Sequence, residues 1–155
     1  MGPLVTSNQE LPVPMKTFKK LATLLMALLI CSCSSPTRSE GPAIGGYCVV
    51  CYHSAGKAVK GTAEFTSEHE GQTYHFVNQE ALDTFEAEPE KYLPQYDGWC
   101  AYGVTFGQKV EIDPTVFSIV DGKLYLNKNE SIGKKFDKNT DKYIAKADAK
   151  WPKIK

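Results

Sequence analysis

Alternating apolar and polar residues predict a β-hairpin over residues 63–77, which read AEFTSEHEGQTYHFV. Two β-prone runs flank Glu70 and Gly71, so a two-residue loop joins the strands and places Phe65 opposite Phe76. Side chains of a strand alternate between its two faces, and one face here collects three aromatic residues, Phe65, Tyr74 and Phe76. We expect this face to be buried.

A second run of this kind, TVFSIVDGKLYLN over residues 115–127, predicts a second hairpin with its turn at Asp121 and Gly122. The apolar residues of this hairpin that are available for burial are Val116, Ile119, Leu124 and Leu126.

Helical spacing characterises the segments around the hairpins. Asn78 offers an N-cap ahead of a helical pattern that includes Phe85, and Pro89 fits the first turn of a second short helix. The segment DGWCAYGVTFG predicts a short buried helix carrying Cys100, and residues 128–155 predict one or two amphipathic helices. The pattern therefore predicts an α+β fold with antiparallel strands and packed helices, and it indicates no internal repeat.

The N-terminal part of the chain predicts export. From Met15 it reads MKTFKKLATLLMALLICSCSS, with three lysines ahead of the apolar run Leu21–Ile30 and small residues after that run. This order is typical of a secretory signal peptide. The run of ten residues is too short for a bilayer core, which takes roughly 20 residues, so a permanent transmembrane helix is the poorer interpretation.

Two cysteines follow this run, and ICSC resembles the bacterial lipobox, in which a small residue precedes the cysteine that is acylated. Cys33, preceded by Ser32, fits this pattern better than Cys31, preceded by Ile30; the alternative is that both lie in a cleaved peptide. We therefore expect a lipoprotein on the periplasmic face of a bacterial membrane. The resulting boundaries are residues 1–33 for an extension and signal peptide, residues 34–44 for a tether and residues 45–155 for the folded domain.

Charge excludes some classes of partner. Lys plus Arg and Asp plus Glu both number 18, so the formal net charge is zero and no strongly basic face argues for nucleic acid. Without residues 1–33 the chain holds 15 basic and 17 acidic residues, which indicates no charged partner. Three cysteines then remain in a compartment that permits disulfides, Cys48, Cys51 and Cys100.

The first hairpin and the helix after it resemble the YHS domain family. The block YHFVNQEALDTFEAEPEKYL, residues 74–93, follows the family spacing of aromatic residues and proline, and the resemblance extends over residues 45–154. The segments VDGKLYLN and IAKADAKWPKI resemble exported bacterial members. The resemblance implies a small treble-clef-like fold and a role in metal handling, with a metal-transport or metal-delivery protein as partner.

The resemblance also locates a metal site. In metal-binding members a first cysteine pair matches Cys48 and Cys51, whereas the positions of the second pair are Val77 and Ala81 here. Half of the family site is replaced, which excludes a four-cysteine zinc site at those positions. Exported members typically have an aspartate and a small residue in place of the first pair, and they share the cysteine that matches Cys100.

Three hypotheses for the cysteines stay open. In the first, which we favour, Cys48 and Cys51 bind Cu(I) or Zn(II), because thiolates two residues apart can hold one soft ion. Cys100 is then the best third ligand and His53 the best nitrogen donor. The protein would be a binding or delivery module without turnover.

The second hypothesis is thiol-disulfide chemistry, which needs a thiol of lowered pKa, usually at a helix start. Val49 and Val50 between the cysteines favour extended structure, so the sequence does not support that geometry. The third hypothesis is a structural disulfide, with Cys48 paired to Cys51 or Cys100, a stabilisation of about 2 to 4 kcal/mol. No arrangement of residues supports a hydrolase.

Overall fold

The computed structural model describes residues 41–155. The helices and strands in chain order are α1 (Val49–Ser54), β1 (Thr62–His69), β2 (Gln72–Phe76), α2 (Gln79–Ala87), α3 (Pro89–Tyr92), α4 (Ala101–Val104), β3 (Asp113–Val120), β4 (Lys123–Asn127), α5 (Glu130–Asp137) and α6 (Thr140–Lys150). Two antiparallel hairpins accompany these helices, which confirms the α+β class.

Most of the predictions for the N-terminal part of the chain concern residues that the structure does not describe. The predicted signal peptide, Cys31, the predicted acylation site Cys33 and residues 34–40 of the predicted tether lie outside the described residues. Within residues 41–155, no helix has the length and apolar character needed to cross a bilayer.

The first hairpin has the predicted turn. Glu70 and Gly71 both have positive φ, 49° and 75°, as in the turns whose twist matches that of a hairpin. Farther from the turn, Thr62 rather than Phe65 faces Phe76, because an irregularity in β1 adds residues to that strand. The predicted pairing of Phe65 with Phe76 is therefore wrong, although Phe65 still packs against the core.

The second hairpin also turns where predicted. Leu124 and Leu126 are fully buried, as expected from the pattern. Ile119 is 39% exposed, so its predicted burial is wrong. It stands one residue from the end of β3, whereas Phe117 and Val120 of the same strand pack against the two cores.

The helices that follow the two hairpins begin in the same way. The Asn78 side chain accepts a hydrogen bond from the Ala81 N–H at 2.9 Å, which confirms the predicted N-cap of α2. The Asn129 side chain accepts one from the Ile132 N–H at 3.0 Å and caps α5. Pro89 lies in the first turn of α3, as predicted.

The second half of the described chain repeats the order of elements of the first. The elements β1, β2, α2 and α3 begin at residues 62, 72, 79 and 89, and β3, β4, α5 and α6 each begin 51 residues later. Identical residues at that spacing include turn, cap and core positions: Gly71, Tyr74, Asn78, Phe85 and Tyr92 correspond to Gly122, Tyr125, Asn129, Phe136 and Tyr143. The sequence-based inference of no internal repeat is therefore wrong.

The segments ahead of the hairpins correspond as well, with a spacing of 52 residues. A 3-10 turn with three consecutive positive-φ residues precedes both α1 and α4, and a cysteine stands at the N-cap of each helix. The backbone N–H of each cysteine donates to a valine carbonyl, at 2.9 and 3.0 Å. Cys100 is therefore the counterpart of Cys48. The same spacing makes Gly103 the counterpart of Cys51.

Each half builds a hydrophobic core, and β4 contributes to both. Leu124 and Leu126 join the first core, whereas Tyr125 between them joins the second, because alternate side chains of a strand point to opposite faces. Ala43 and Ile44, at the end of the predicted tether, are buried in the first core.

Candidate functional site

The two cysteines of the C-x-x-C pair lie at the start of a helix. Cys48 is the N-cap of α1, with extended backbone angles, and Cys51 is the third residue of that helix. The backbone N–H of Cys51 donates to the carbonyl of Cys48 at 3.2 Å, which closes the first turn around the pair. Both side chains are buried, with 0% and 8% exposure.

This helix contradicts the extended structure predicted for Val49 and Val50. Valine is less favourable than alanine in a helix by at most about 0.7 kcal/mol. Burial of a valine side chain contributes about 1.5 to 3 kcal/mol, and both residues are buried in the first core. Tertiary packing therefore outweighs the local preference at this point of the chain.

Cys48 influences the ionisation of Cys51. Burial first, and the neighbouring Cys48 thiol second, raise the pKa of the Cys51 thiol to about 12. Cys51 is therefore a protonated thiol at neutral pH. All three cysteines of the described chain are free thiols.

His53 belongs to the same helix and points away from the pair. Residues two apart on a helix do not share a face, so the imidazole of His53 and the sulfur of Cys51 diverge. The ring packs edge-on against Tyr92, with centroids 5.3 Å apart, and its buried Nε2 has no hydrogen-bond partner among residues 41–155. Burial first and the charge of Lys91 second lower the pKa of His53, which favours the neutral imidazole.

Cys100 occupies the corresponding place in the other half. Its Sγ accepts a hydrogen bond from the Gly103 N–H at 3.4 Å, and its thiol donates to Asn127 Oδ1 at 3.7 Å. Asn127 is fully buried, and Oδ1 also accepts from the Tyr102 N–H at 3.3 Å. Cys100 is thus a capping residue with partners of its own.

The predicted ligands are consequently not brought together. Among residues 41–155, no group of three or more His, Cys, Asp or Glu side chains is placed to hold a metal ion. Cys48 and Cys51 form a pair, whereas His53 faces Tyr92 and Cys100 faces Asn127. The duplication gives the reason, because it fixes Cys100 at the equivalent point of a separate half.

One buried polar residue, Asn127, was not predicted from the sequence. Asn127 ends β4 and links that strand to α4 through two hydrogen bonds, while its Nδ2 has no partner within the described chain. A signal for it exists only in the repeat, where Asn127 stands at the position of Phe76 in the first half.

The donor set can be compared with the needs of a metal ion. A structural zinc ion takes four ligands, and the pair supplies two thiols with no third group among residues 41–155. A soft ion such as Cu(I) prefers sulfur ligands, and a thiol-only buried pair fits it. Cys48 and Cys51 would hold such an ion.

The fold and the buried dithiol define a small α+β module with a thiol site at the start of its first helix. The family model of the YHS domain matches residues 50–96. Residues 50–96 therefore resemble the YHS domain, and this range includes Cys51 and His53 but neither Cys48 nor Cys100. No curated protein and no solved structure gave a match.

Proposed function

We propose that the protein is a metal-binding module that holds one soft ion, Cu(I), between Cys48 and Cys51 and carries out no turnover. The observation that carries this proposal is the pair of buried free thiols in the first turn of α1, Cys48 at the N-cap and Cys51 at the third residue. The YHS domain itself supports it, because that family is associated with metal handling. Zinc would need two further ligands from water or from another protein.

Binding at this pair exchanges protons for the metal ion. Thiolates, not thiols, are the ligands, so each cysteine that coordinates the ion must first lose its proton. The pKa of Cys51 is raised to about 12, and its proton is therefore displaced at every physiological pH. The apparent affinity for Cu(I) should rise about tenfold per pH unit from this thiol alone.

A thiol-disulfide redox protein is the second candidate. One observation favours it: Cys48 and Cys51 both lie in the first turn of one helix, at its start. Two observations oppose it, since exchange requires an accessible thiolate, and here both thiols are buried and Cys51 stays protonated. An inert disulfide between these two cysteines is the third candidate.

The cellular setting completes the proposal. The signal-like run Leu21–Ile30 and the lipobox-like ICSC support export and acylation at Cys33. We infer that the domain is held at the periplasmic face of a bacterial membrane, where it receives an ion from, or passes it to, a metal-transport or metal-delivery protein.

The metal proposal is tested by anaerobic titration of the reduced protein with Cu(I), in competition with a chromogenic chelator. Cys31 and Cys33 are both replaced by serine in this parent protein, so that Cys48, Cys51 and Cys100 are its only thiols. We expect one copper ion per chain, confirmed by elemental analysis beside thiol counts. Cys48→Ser and Cys51→Ser in this parent should each abolish competitive binding, whereas Cys100→Ser, the matched control, should bind as the parent does. Parent protein that takes up no metal with all three thiols free would refute the proposal.

The same variants separate the redox candidate. If the protein binds no metal but has a dithiol reductase activity that Cys51→Ser abolishes, the redox candidate replaces the metal proposal. A pair that is isolated fully oxidised and that mild reductants do not reduce would assign it as a structural staple.

The acylation site is tested separately. Cys33→Ala should release the protein from membranes that have been washed in about 0.5 M NaCl, a concentration that screens electrostatic attraction. Unchanged retention of the variant after this wash would reject Cys33 as the anchor.

A further inference from the structure

Charge is divided unevenly between the two halves of the described chain. Residues 41–93 hold three lysines and eight acidic residues, whereas residues 94–155 hold eleven lysines and eight acidic residues. The near-neutral total conceals this division. A basic excess in one half is the usual mark of a partner that carries negative charge.

The lysines of α6 share one side of that helix. Lys142, Lys146 and Lys150 recur every four residues, and all three are exposed. Asp141 and Asp148 are seven residues apart and share a different side, where the Asp148 carboxylate accepts a hydrogen bond from the Tyr96 hydroxyl at 2.9 Å. Within the described residues, no carboxylate lies within salt-bridge distance of the three lysines.

An exposed aromatic residue lies beside this row. Phe106 is 63% exposed. Its ring contacts Tyr102 at 5.3 Å between centroids, and Tyr102 in turn contacts Tyr143 of α6 at 5.1 Å. We call these residues the basic aromatic surface: Phe106, Lys142, Lys146 and Lys150.

The fold does not require an aromatic residue at position 106. In the first half the corresponding position is Ser54, which is exposed and polar. Lys91, the first-half counterpart of Lys142, forms an ion pair with Glu88 at 3.1 Å, whereas Lys142 has no such partner in the described chain. The second half has therefore acquired its surface independently of the packing that the two halves share.

We propose that the basic aromatic surface binds the surface of an anionic lipid bilayer, with Phe106 entering the headgroup region. Residues 41–155 contain no arginine. Sites for nucleic-acid phosphates and protein hot spots favour arginine, because its planar fork makes paired hydrogen bonds. Mobile, hydrated lysines beside one exposed apolar ring suit a diffuse and fluid charged surface better. The proposal is independent of the metal site.

The test is a titration of the reduced full chain with vesicles of neutral phosphatidylcholine, with and without about 30% phosphatidylglycerol. Two triple variants with the same change in charge are compared: K142E/K146E/K150E alters the surface, and K57E/K60E/K123E alters exposed lysines elsewhere. Residues 1–40 carry basic residues of their own, and both variants share them. The contrast between the variants therefore reports the surface alone.

We expect wild type and the control triple variant to bind anionic vesicles more tightly than neutral ones. In K142E/K146E/K150E this preference should fall at least about tenfold, because each lysine near the membrane surface raises the affinity for anionic lipid about fivefold. The preference should vanish in about 0.5 M NaCl, and Phe106→Ser should weaken it with unchanged thermal stability. Wild type without a preference, or equal losses in both triples, would overturn the proposal. Self-association of wild type that only K142E/K146E/K150E abolishes would reassign the surface to a second copy of the chain. Binding of wild type to duplex DNA that only this variant abolishes would reassign the surface to nucleic acid.

Discussion

The ionisation of Cys51 links the buried pair to the stability of the fold. Its pKa is about 12 in the folded chain against an ordinary value of 9.0. Because the folded pKa is the higher one, the thiol contributes its full stabilisation below pH 9 and loses it as the pH rises toward 12. Burial also raises the pKa values of three tyrosines, so their ionisation adds to the loss of stability at high pH. These tyrosines are Tyr52, Tyr96 and Tyr125.

We therefore predict that the free energy of unfolding falls as the pH rises from about 9 to about 11, with up to about 1.4 kcal/mol per pH unit from Cys51. Urea unfolding at a series of pH values measures this slope. In Cys51→Ala the slope should be shallower by about one proton. A stability that is flat over this range, or an identical slope in the variant, would show that Cys51 ionises freely in the folded chain.

Asn127 and Cys100 form a second buried polar site with a structural role. Asn127→Ala leaves the Tyr102 N–H and the Cys100 thiol without their acceptor, and we predict a loss of about 2 kcal/mol or more. Cys100→Ser keeps an N-capping side chain and should cost under about 1 kcal/mol. Thermal or urea unfolding measures both. A large loss in Cys100→Ser, together with a loss of bound metal, would return Cys100 to the set of metal ligands.

At the scale of elements, the helix N-caps offer a direct comparison within one chain. The side chains of Asn78 and Asn129 each accept a backbone hydrogen bond at the start of a helix, whereas Asn139 at the start of α6 makes none. We predict that alanine at position 78 or 129 lowers stability by about 1 kcal/mol and that Asn139→Ala changes it little. Urea unfolding of the three variants tests this order, and three equal losses would contradict it.

The elements that the sequence predicted well are those with a local cause. Turn residues at Glu70-Gly71 and Asp121-Gly122, the Asn78 cap and Pro89 each act within a few residues, and the structure confirms them. The helix α1 could not be predicted this way, since its two valines favour extended structure locally. Their burial in a core assembled from distant strands decides the outcome.

At the scale of the whole molecule, the duplication was hidden in the sequence for a physical reason. The two halves share mainly the turn glycines, the asparagine caps and a few aromatic core residues, because only these positions are needed to form the fold. The spacing also changes from 52 residues at the cysteines to 51 at the hairpins, which breaks a simple repeat. The pair Cys48 and Cys51 could be read from sequence, but the separation of Cys100 could not.

The duplication leads to a prediction about the metal site, which rests on the proposed function. Gly103 stands where Cys51 stands in the first half, so a cysteine there should pair with Cys100. A Cβ at position 103 would lie 2.9 Å from Cγ2 of Val110 and 3.1 Å from its Cβ, which is too close. The change Gly103→Cys therefore needs Val110→Ala beside it, which removes the Cγ2 methyl group; the Cβ of residue 110 remains and has to move by a few tenths of an ångström.

We expect G103C/V110A to bind two Cu(I) ions per chain where wild type binds one, measured by the same competitive titration and elemental analysis. The control G103S/V110A has the same packing without the second thiol and should bind one ion. Circular dichroism distinguishes a folded variant from an unfolded one that binds copper unspecifically. The contrary outcome is that wild type binds one ion at Cys48 and Cys51 and that folded G103C/V110A also binds only one. That result would show that the equivalence of the two halves does not extend to their metal chemistry. A thiol at position 103 is then insufficient, and the first site depends on the apolar packing around α1 that the second half replaces with Asn127.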